Sequence, residues 1–139
     1  MKTGIIVDST ADLMPEFKNR VQVVPLTVCF GDREYLDGIT IDHKTFYERL
    51  VECDVLPTTS QAAPYAFSEV FEPLVEEGHE VVAIVVSGAL SGTCQSANIA
   101  AADHPGKVFV VDSRNIAIGS GILVELALRL LDAGMSSGP

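Results

Sequence analysis

Residues 80–93 read EVVAIVVSGALSGT, and the stretch continues CQSA to Ala97. Val81–Val86 is a short, near-continuous β-branched run, the pattern of a parallel strand buried on both faces beneath helices. The run then empties into Ser87, Gly88, Ser91, Gly92 and Thr93 with no charged residue among them. Such a segment makes poor core, but it is well suited to meeting an oxygen-rich ligand. Its reading decides the fold, because it sets a buried parallel strand directly before a polar turn and a helix start.

Two more segments share this form: Gly4–Val7, followed by Asp8-Ser9-Thr10, and Lys107–Val111, followed by Asp112-Ser113. Between the strands lie helical patterns over Lys44–Cys53, Tyr65–Glu77, Thr93–Ala102 and Ile118–Leu131, the last with Gly134 as its C-cap. In the first, Phe46, Tyr47, Leu50 and Val51 recur at helical spacing; in the second, Phe67, Val70, Phe71, Leu74 and Val75 do. Val21–Tyr35 reads instead as extended segments joined by a tight turn at Gly31-Asp32. The fold class is α/β, a mainly parallel sheet flanked by helices. All three parallel strands finish in small polar residues, and open α/β sheets bind ligands in the crevice outside those carboxyl ends. Asp and Ser are also ordinary N-cap and turn residues, which accounts for any one of the three taken singly.

The 139 residues are one domain's worth of chain, 47% hydrophobic and 20% charged, without repeats or low-complexity tracts. A net charge of −10 excludes the Lys/Arg footprint that nucleic acid requires, and it means that an anionic ligand must be held by a local device. No apolar run approaches the roughly 18 residues of a membrane span, and Asp8 interrupts the N-terminus too early for a signal peptide. A cytoplasmic location is the expectation. Cys29, Cys53 and Cys94 are odd in number and lack C-x-x-C spacing, so they read as reduced thiols. His43, His79 and His104 are scattered, read as surface residues and form no ligand set; no metal and no cofactor are expected.

Two hydroxyl-rich stretches carry the functional signal. Pro57-Thr58-Thr59-Ser60-Gln61 reads as a defined loop between two helices, stiffened by Pro57 and Pro64, in which Ser60 or Gln61 also serves as a possible helix cap. Ser91-Gly92-Thr93 opens a helix whose free N–H groups and dipole suit an anion, with Gly92 allowing close approach. This is no P-loop, because the lysine is missing, and the glycine spacing around Ser91 does not make a nucleophile elbow. The residues alone therefore describe a hydroxyl-and-amide site for a small anionic or carbonyl oxygen. A hydrolase or transferase using Ser91 is the competing reading, and it lacks a neighbouring base in the sequence.

Taken in order, Asp8-Ser9-Thr10-Ala11-Asp12-Leu13, Pro57-Thr58-Thr59-Ser60-Gln61, Leu90-Ser91-Gly92-Thr93 with Gln95-Ser96-Ala97, and Val111-Asp112-Ser113 resemble the DegV family. That resemblance implies a bacterial two-domain α/β protein that binds a long-chain fatty acid, not an enzyme, and that presents the carboxylate to a fatty acid kinase. It implies that Thr59 and Ser91 hold the carboxylate, supported by Ser60, Gly92 and Thr93, with the tail in an apolar pocket and only transient membrane contact. Family members are about twice as long, so residues 1–134 correspond to the lipid-binding N-terminal domain, residues 135–139 to a tail, and the second domain is absent. The chain departs from the family pattern at Gly88, where a second serine is usual and its loss removes a hydroxyl and loosens the loop. It departs again at Cys94, where tyrosine is usual, a change of packing.

Overall fold

The computed structural model describes residues 2–138. Its large layer is a four-stranded, all-parallel sheet in the order β2 (Val21–Val24), β1 (Thr3–Asp8), β6 (Glu80–Val85), β7 (Val108–Asp112). In β1 and β6 the continuous apolar runs are explained by burial on both faces, whereas β7, read from sequence as buried, is the sheet edge and buries only Val108 fully, leaving Val111 exposed. Ile6, Val81, Ala83 and Val85 pack beneath α3 (Pro64–Glu76) and α4 (Thr93–Ala101) with Phe67, Phe71 and Ala97. Ile5, Val7 and Ile84 pack on the other side with Phe17 of α1 (Pro15–Lys18) and Val124 and Leu128 of α5 (Ile118–Asp132). Each of these large side chains contributes about 1.5–3 kcal/mol when fully buried.

A second, three-stranded antiparallel sheet has the order β4 (Arg33–Leu36), β3 (Thr27–Phe30), β5 (Thr58–Ser60). It is backed by α2 (His43–Glu52), whose Asp42 N-cap accepts the Thr45 amide; this hydrogen bond holds the Asp42 carboxyl below its ordinary pKa. Beneath α2, Val28, Phe30, Ile41, Tyr35 and Phe46 form a small core of their own, with the Phe30 and Phe46 rings 5.5 Å apart.

Val21–Tyr35 is extended and turns tightly at Gly31-Asp32, as the sequence reads, and Pro25 divides it between sheets: β2 enters the parallel sheet, while β3 and β4 form a hairpin around Gly31, which takes φ +59. Pro25 supplies no N–H to continue a ladder, so the chain leaves one sheet there and enters another. The stretch Pro57–Gln61 is not a loop: Thr58–Ser60 is an edge strand, with Thr59 opposite Val28 and Ser60 opposite Thr27. Neither Ser60 nor Gln61 caps α3, whose N-cap is Ala63, without a side-chain hydrogen bond. On α2 only half the apolar stripe is covered, since Tyr47 and Val51 remain exposed.

The chain runs from β1 outward to β2, and later from β6 outward to β7, so β1 and β6 flank the point where the strand order reverses. Asp8 closes that point. Its carboxylate is buried, accepting the Thr10 amide and hydroxyl at 2.8 and 2.5 Å on Oδ1 and the Val86 amide at 2.6 Å on Oδ2. Replacing Asp8 with alanine leaves buried donors unpaired and is expected to lower stability by about 3 kcal/mol. Urea unfolding should show a lower midpoint with an unchanged slope; an unchanged midpoint would show that the carboxylate is not needed to join the strands.

Candidate functional site

The parallel register places Val7 beside Ile84 and Val85 beside Asp112, so Asp8, Ser87 and Asp112 arrive at one edge of the sheet. There they tie the turns together. Ser9 Oγ accepts the Leu26 amide at 3.0 Å, and Ser87 Oγ accepts the Ala89 amide at 3.3 Å. Ser113 Oγ lies 3.2 Å from Ser120 Oγ and receives the Asn115 amide. Gly88 is not loose. Its amide donates to both Asp112 oxygens at 3.1 and 3.2 Å, and a side chain there would meet Asp112 Oδ2 at 2.9 Å. The serine hydroxyl expected at this position is replaced by a bare amide clamped on a carboxylate.

The backbone at this edge is also strained. Ala117 sits at φ 55, ψ −124, a conformation costing about 1–3 kcal/mol for a residue with a side chain. Two hydrogen bonds hold it: its amide donates to the Thr10 carbonyl at 3.0 Å, and its carbonyl accepts the Asp12 amide at 3.1 Å. Gly121 is the companion device, since any Cβ there would overlap the Asp12 carbonyl oxygen.

Ser91 stands at the start of α4, half-buried. Its Oγ accepts the Thr93 amide at 3.2 Å and lies 2.9 Å from Thr93 Oγ1. With the Thr93 hydroxyl donating, both lone pairs of Ser91 are occupied and its own O–H is free to donate outward. Thr93 is fully buried, so it acts on the surroundings through Ser91. Among the described residues, both partners of the Ser91 hydroxyl are groups of Thr93, and neither is a base. Thr59, Ser60 and Gln61 are exposed. Side chains alternate along a strand, so Thr59 stands on the same side of β5 as Val28 and α2, while Thr58 and Ser60 stand on the other.

The two hydroxyl stretches meet through Gln61. Its Nε2 donates to Ser96 Oγ at 3.3 Å, and its amide lies so close over Gly92 that a Cβ there would overlap Oε1. Composition gave no hint of this contact beyond the small residue at 92. Next to the Ser9 turn lies an open hollow of about 300 Å³ lined by Ala11, Leu13, Val23 and Ile39, with the carboxylates Asp12 and Asp37 as well as Lys18 and His43 among its polar residues. His43 is exposed, but His79 and His104 are half-buried, and His104 Nε2 is enclosed without a hydrogen-bond partner. Among the described residues, no three His, Cys, Asp or Glu side chains gather as a metal-binding group. Nor, among the described residues, is any helix long and apolar enough to cross a membrane.

Cys94 packs in the core under α4, where burial, and then the nearby Asp112 charge, push its thiol pKa up, against a hydrogen bond from Asn98. A raised pKa leaves less of the reactive thiolate at neutral pH. Maleimide labelling of the native chain should therefore modify exposed Cys53 first, half-buried Cys29 next and Cys94 last. Early labelling of Cys94 would mean that the α4 terminus opens readily.

The sequence profile described as uncharacterised proteins of the DegV family matches residues 2–138. A DegV domain-containing protein of Clostridium perfringens is 39% identical over 138 residues, covering 97% of this chain and 50% of its own length. A solved structure of a DegV family protein from Thermus thermophilus, described by its fatty acid binding, superposes with a TM-score of 0.89 at 37% identity, over 99% of this chain and 50% of that one. The fatty acid kinase B3 protein of Streptococcus pneumoniae, solved loaded with linoleic acid, superposes with a TM-score of 0.81 at 28% identity, over 98% and 50%. The chain thus spans about half the length of the relatives it matches. From the first strand to the tail of the last helix, the chain belongs to the DegV family.

Proposed function

We propose that this chain binds a long-chain fatty acid, with the carboxylate held between Thr59 and Ser91 and the tail laid in the apolar space at the strand ends. The observation that carries this reading is the contact of Gln61 with Gly92 and Ser96, which brings the hydroxyl edge strand to the helix start where Ser91 stands. Ser60, on the opposite face of β5 from Thr59, supports through the backbone, and Gly92 leaves room at the helix terminus. Thr93 supports Ser91 from beneath. In a chain of net charge −10, these neutral donors and the helix dipole are the local device that an anion needs. Each charge-assisted hydrogen bond contributes roughly 1.5–3 kcal/mol, and each buried methylene about 0.8 kcal/mol before the cost of association. The hollow lined by Ala11, Leu13, Val23 and Ile39 provides apolar wall for the tail.

The site lies at an open edge, with Leu90 exposed beside Ser91. A kinase can therefore reach the carboxylate, and we assign this chain the role of presenting the acid to a fatty acid kinase rather than reacting with it. The absence of a base partner for Ser91 supports carriage over catalysis. The reduced thiols fit action in the cytoplasm.

Native mass spectrometry of the protein purified from bacteria should show a co-purified long-chain acid. By calorimetry, Ser91→Ala should weaken oleate binding about tenfold, the effect of one charge-assisted hydrogen bond. The thermal melt should fall by a few degrees, because the buried Thr93 amide and hydroxyl lose their Ser91 acceptor while Thr93 keeps its place in the core. Unchanged oleate affinity would remove Ser91 from the site, and a collapse of the melt would make its role structural. Oleate should also bind this 139-residue chain more weakly than a relative of twice the length, because a tail with one wall open to water keeps only part of its burial energy. Equal affinities would show that this domain encloses the ligand unaided.

A further inference from the structure

Residues 27–60 form a unit set apart from the rest of the molecule. The small sheet and α2 have their own core of Val28, Phe30, Tyr35, Ile41 and Phe46, separate from the two clusters that flank the parallel sheet. Among the described residues, β3, β4 and β5 pair only with one another, in a sheet separate from the large one. The unit is joined to the body at two places. At one, Pro25 leads into Leu26, whose amide is held by Ser9 Oγ at 3.0 Å and whose carbonyl accepts the Asp37 amide at 2.9 Å. At the other, β5 runs into Gln61 and then Ala62, which is buried in the body's core.

We infer that Gln61 is a positioning residue, a latch that holds the 27–60 unit against the start of α4 and so fixes the spacing between Thr59 and Ser91. Gln61 is exposed, and its backbone lies just beyond the edge strand, so its side chain has no part in either core. Yet it spans from one unit to the other: its amide group covers Gly92 and donates to Ser96 Oγ at 3.3 Å. Ser96 is itself buried in α4, a fixed post on the body. A unit with an independent core, a proline-marked connection on one side and one polar side chain clasping the body on the other is built to move as a block when the clasp releases. Gly92 acquires a second reason to be glycine: any side chain there displaces the latch.

The inference rests on the fatty-acid reading for its consequence in binding, but the latch itself is tested without ligand. Spin labels are placed on exposed positions by Tyr47→Cys on α2 and Ile99→Cys on α4, with Cys29 and Cys53 replaced by serine and the buried Cys94 retained. Pulsed dipolar spectroscopy should give one narrow distance distribution for the parent. Gln61→Ala should broaden it or add a longer distance, and Gly92→Ala should do the same. The pair combined should be no broader than either alone, because both changes remove one contact. The melting temperature should stay close to that of the parent. Oleate affinity should fall about three- to tenfold in Gln61→Ala. An unchanged distance distribution in both single variants overturns the latch, as does an additive broadening in the pair. If the parent binds no oleate, the fatty-acid reading fails, and the distance measurement still decides the latch by itself.

Discussion

The buried carboxylate of Asp8 joins the two strands between which the chain reverses its direction across the sheet. At such a point the neighbouring crossovers lead away on opposite sides and the strand ends are left to splay, which makes the crevice that α/β proteins use for ligands. Asp8 accepts from the Thr10 amide and hydroxyl on its own strand's turn and from the Val86 amide at the end of β6, so the crevice opens above a fixed floor. Every turn that shapes the edge is hung from that floor. Ser87 follows Val86 directly, Asp112 pairs beside Val85 and clamps Gly88, and the Thr10 carbonyl holds the strained Ala117 at the head of α5. A carboxylate with three donors in a nearly solvent-free position supplies this.

Above the floor, the two halves of the candidate site come from structures of different character. Ser91 belongs to the rigid body, backed by buried Thr93 and the parallel sheet. Thr59 belongs to a short edge strand of a small sheet with a core of its own. A carboxylate that bonds to both must bridge them, and Gln61 is what brings them into register. On the proposed fatty-acid reading, this division reconciles two needs: tight donors for the head group, and a way for a long tail to enter and leave.

Much of the fold is legible in the chain because burial on both faces leaves a signature that local sequence cannot hide. Val81–Val86 and Gly4–Val7 have no polar alternation, and each is followed by Asp or Ser, the pattern of central parallel strands feeding helices; Lys107–Val111 carries the same pattern but forms the sheet edge, with Val111 exposed. The small sheet is harder to read. Thr58-Thr59-Ser60 is three polar residues long, exposed throughout, and stabilised by pairing with β3 from a distant part of the chain. Nothing in its own residues distinguishes an edge strand from a stiff loop. The break at Pro25 is visible as a residue, but its consequence, a change of sheet, depends on tertiary partners. In the same way the identity of the hydroxyl residues is plain from sequence, while their roles are not. Thr93 is closed off and works through Ser91, Thr59 and Ser60 face opposite ways, and Gln61 joins the two stretches through a contact that exists only once both are folded.

The central claim is that one carboxylate is shared between the edge strand and the helix start, and a crystal structure of this chain with oleic acid tests it most directly. The account predicts both carboxylate oxygens at the α4 terminus, with the Thr59 and Ser91 hydroxyls each about 3 Å away, the distance of a direct hydrogen bond. The tail should run into the apolar space beside Ala11, Leu13 and Ile39. A carboxylate seated instead in that hollow beside Lys18 and His43, away from Thr59 and Ser91, would reverse the ligand and contradict the account.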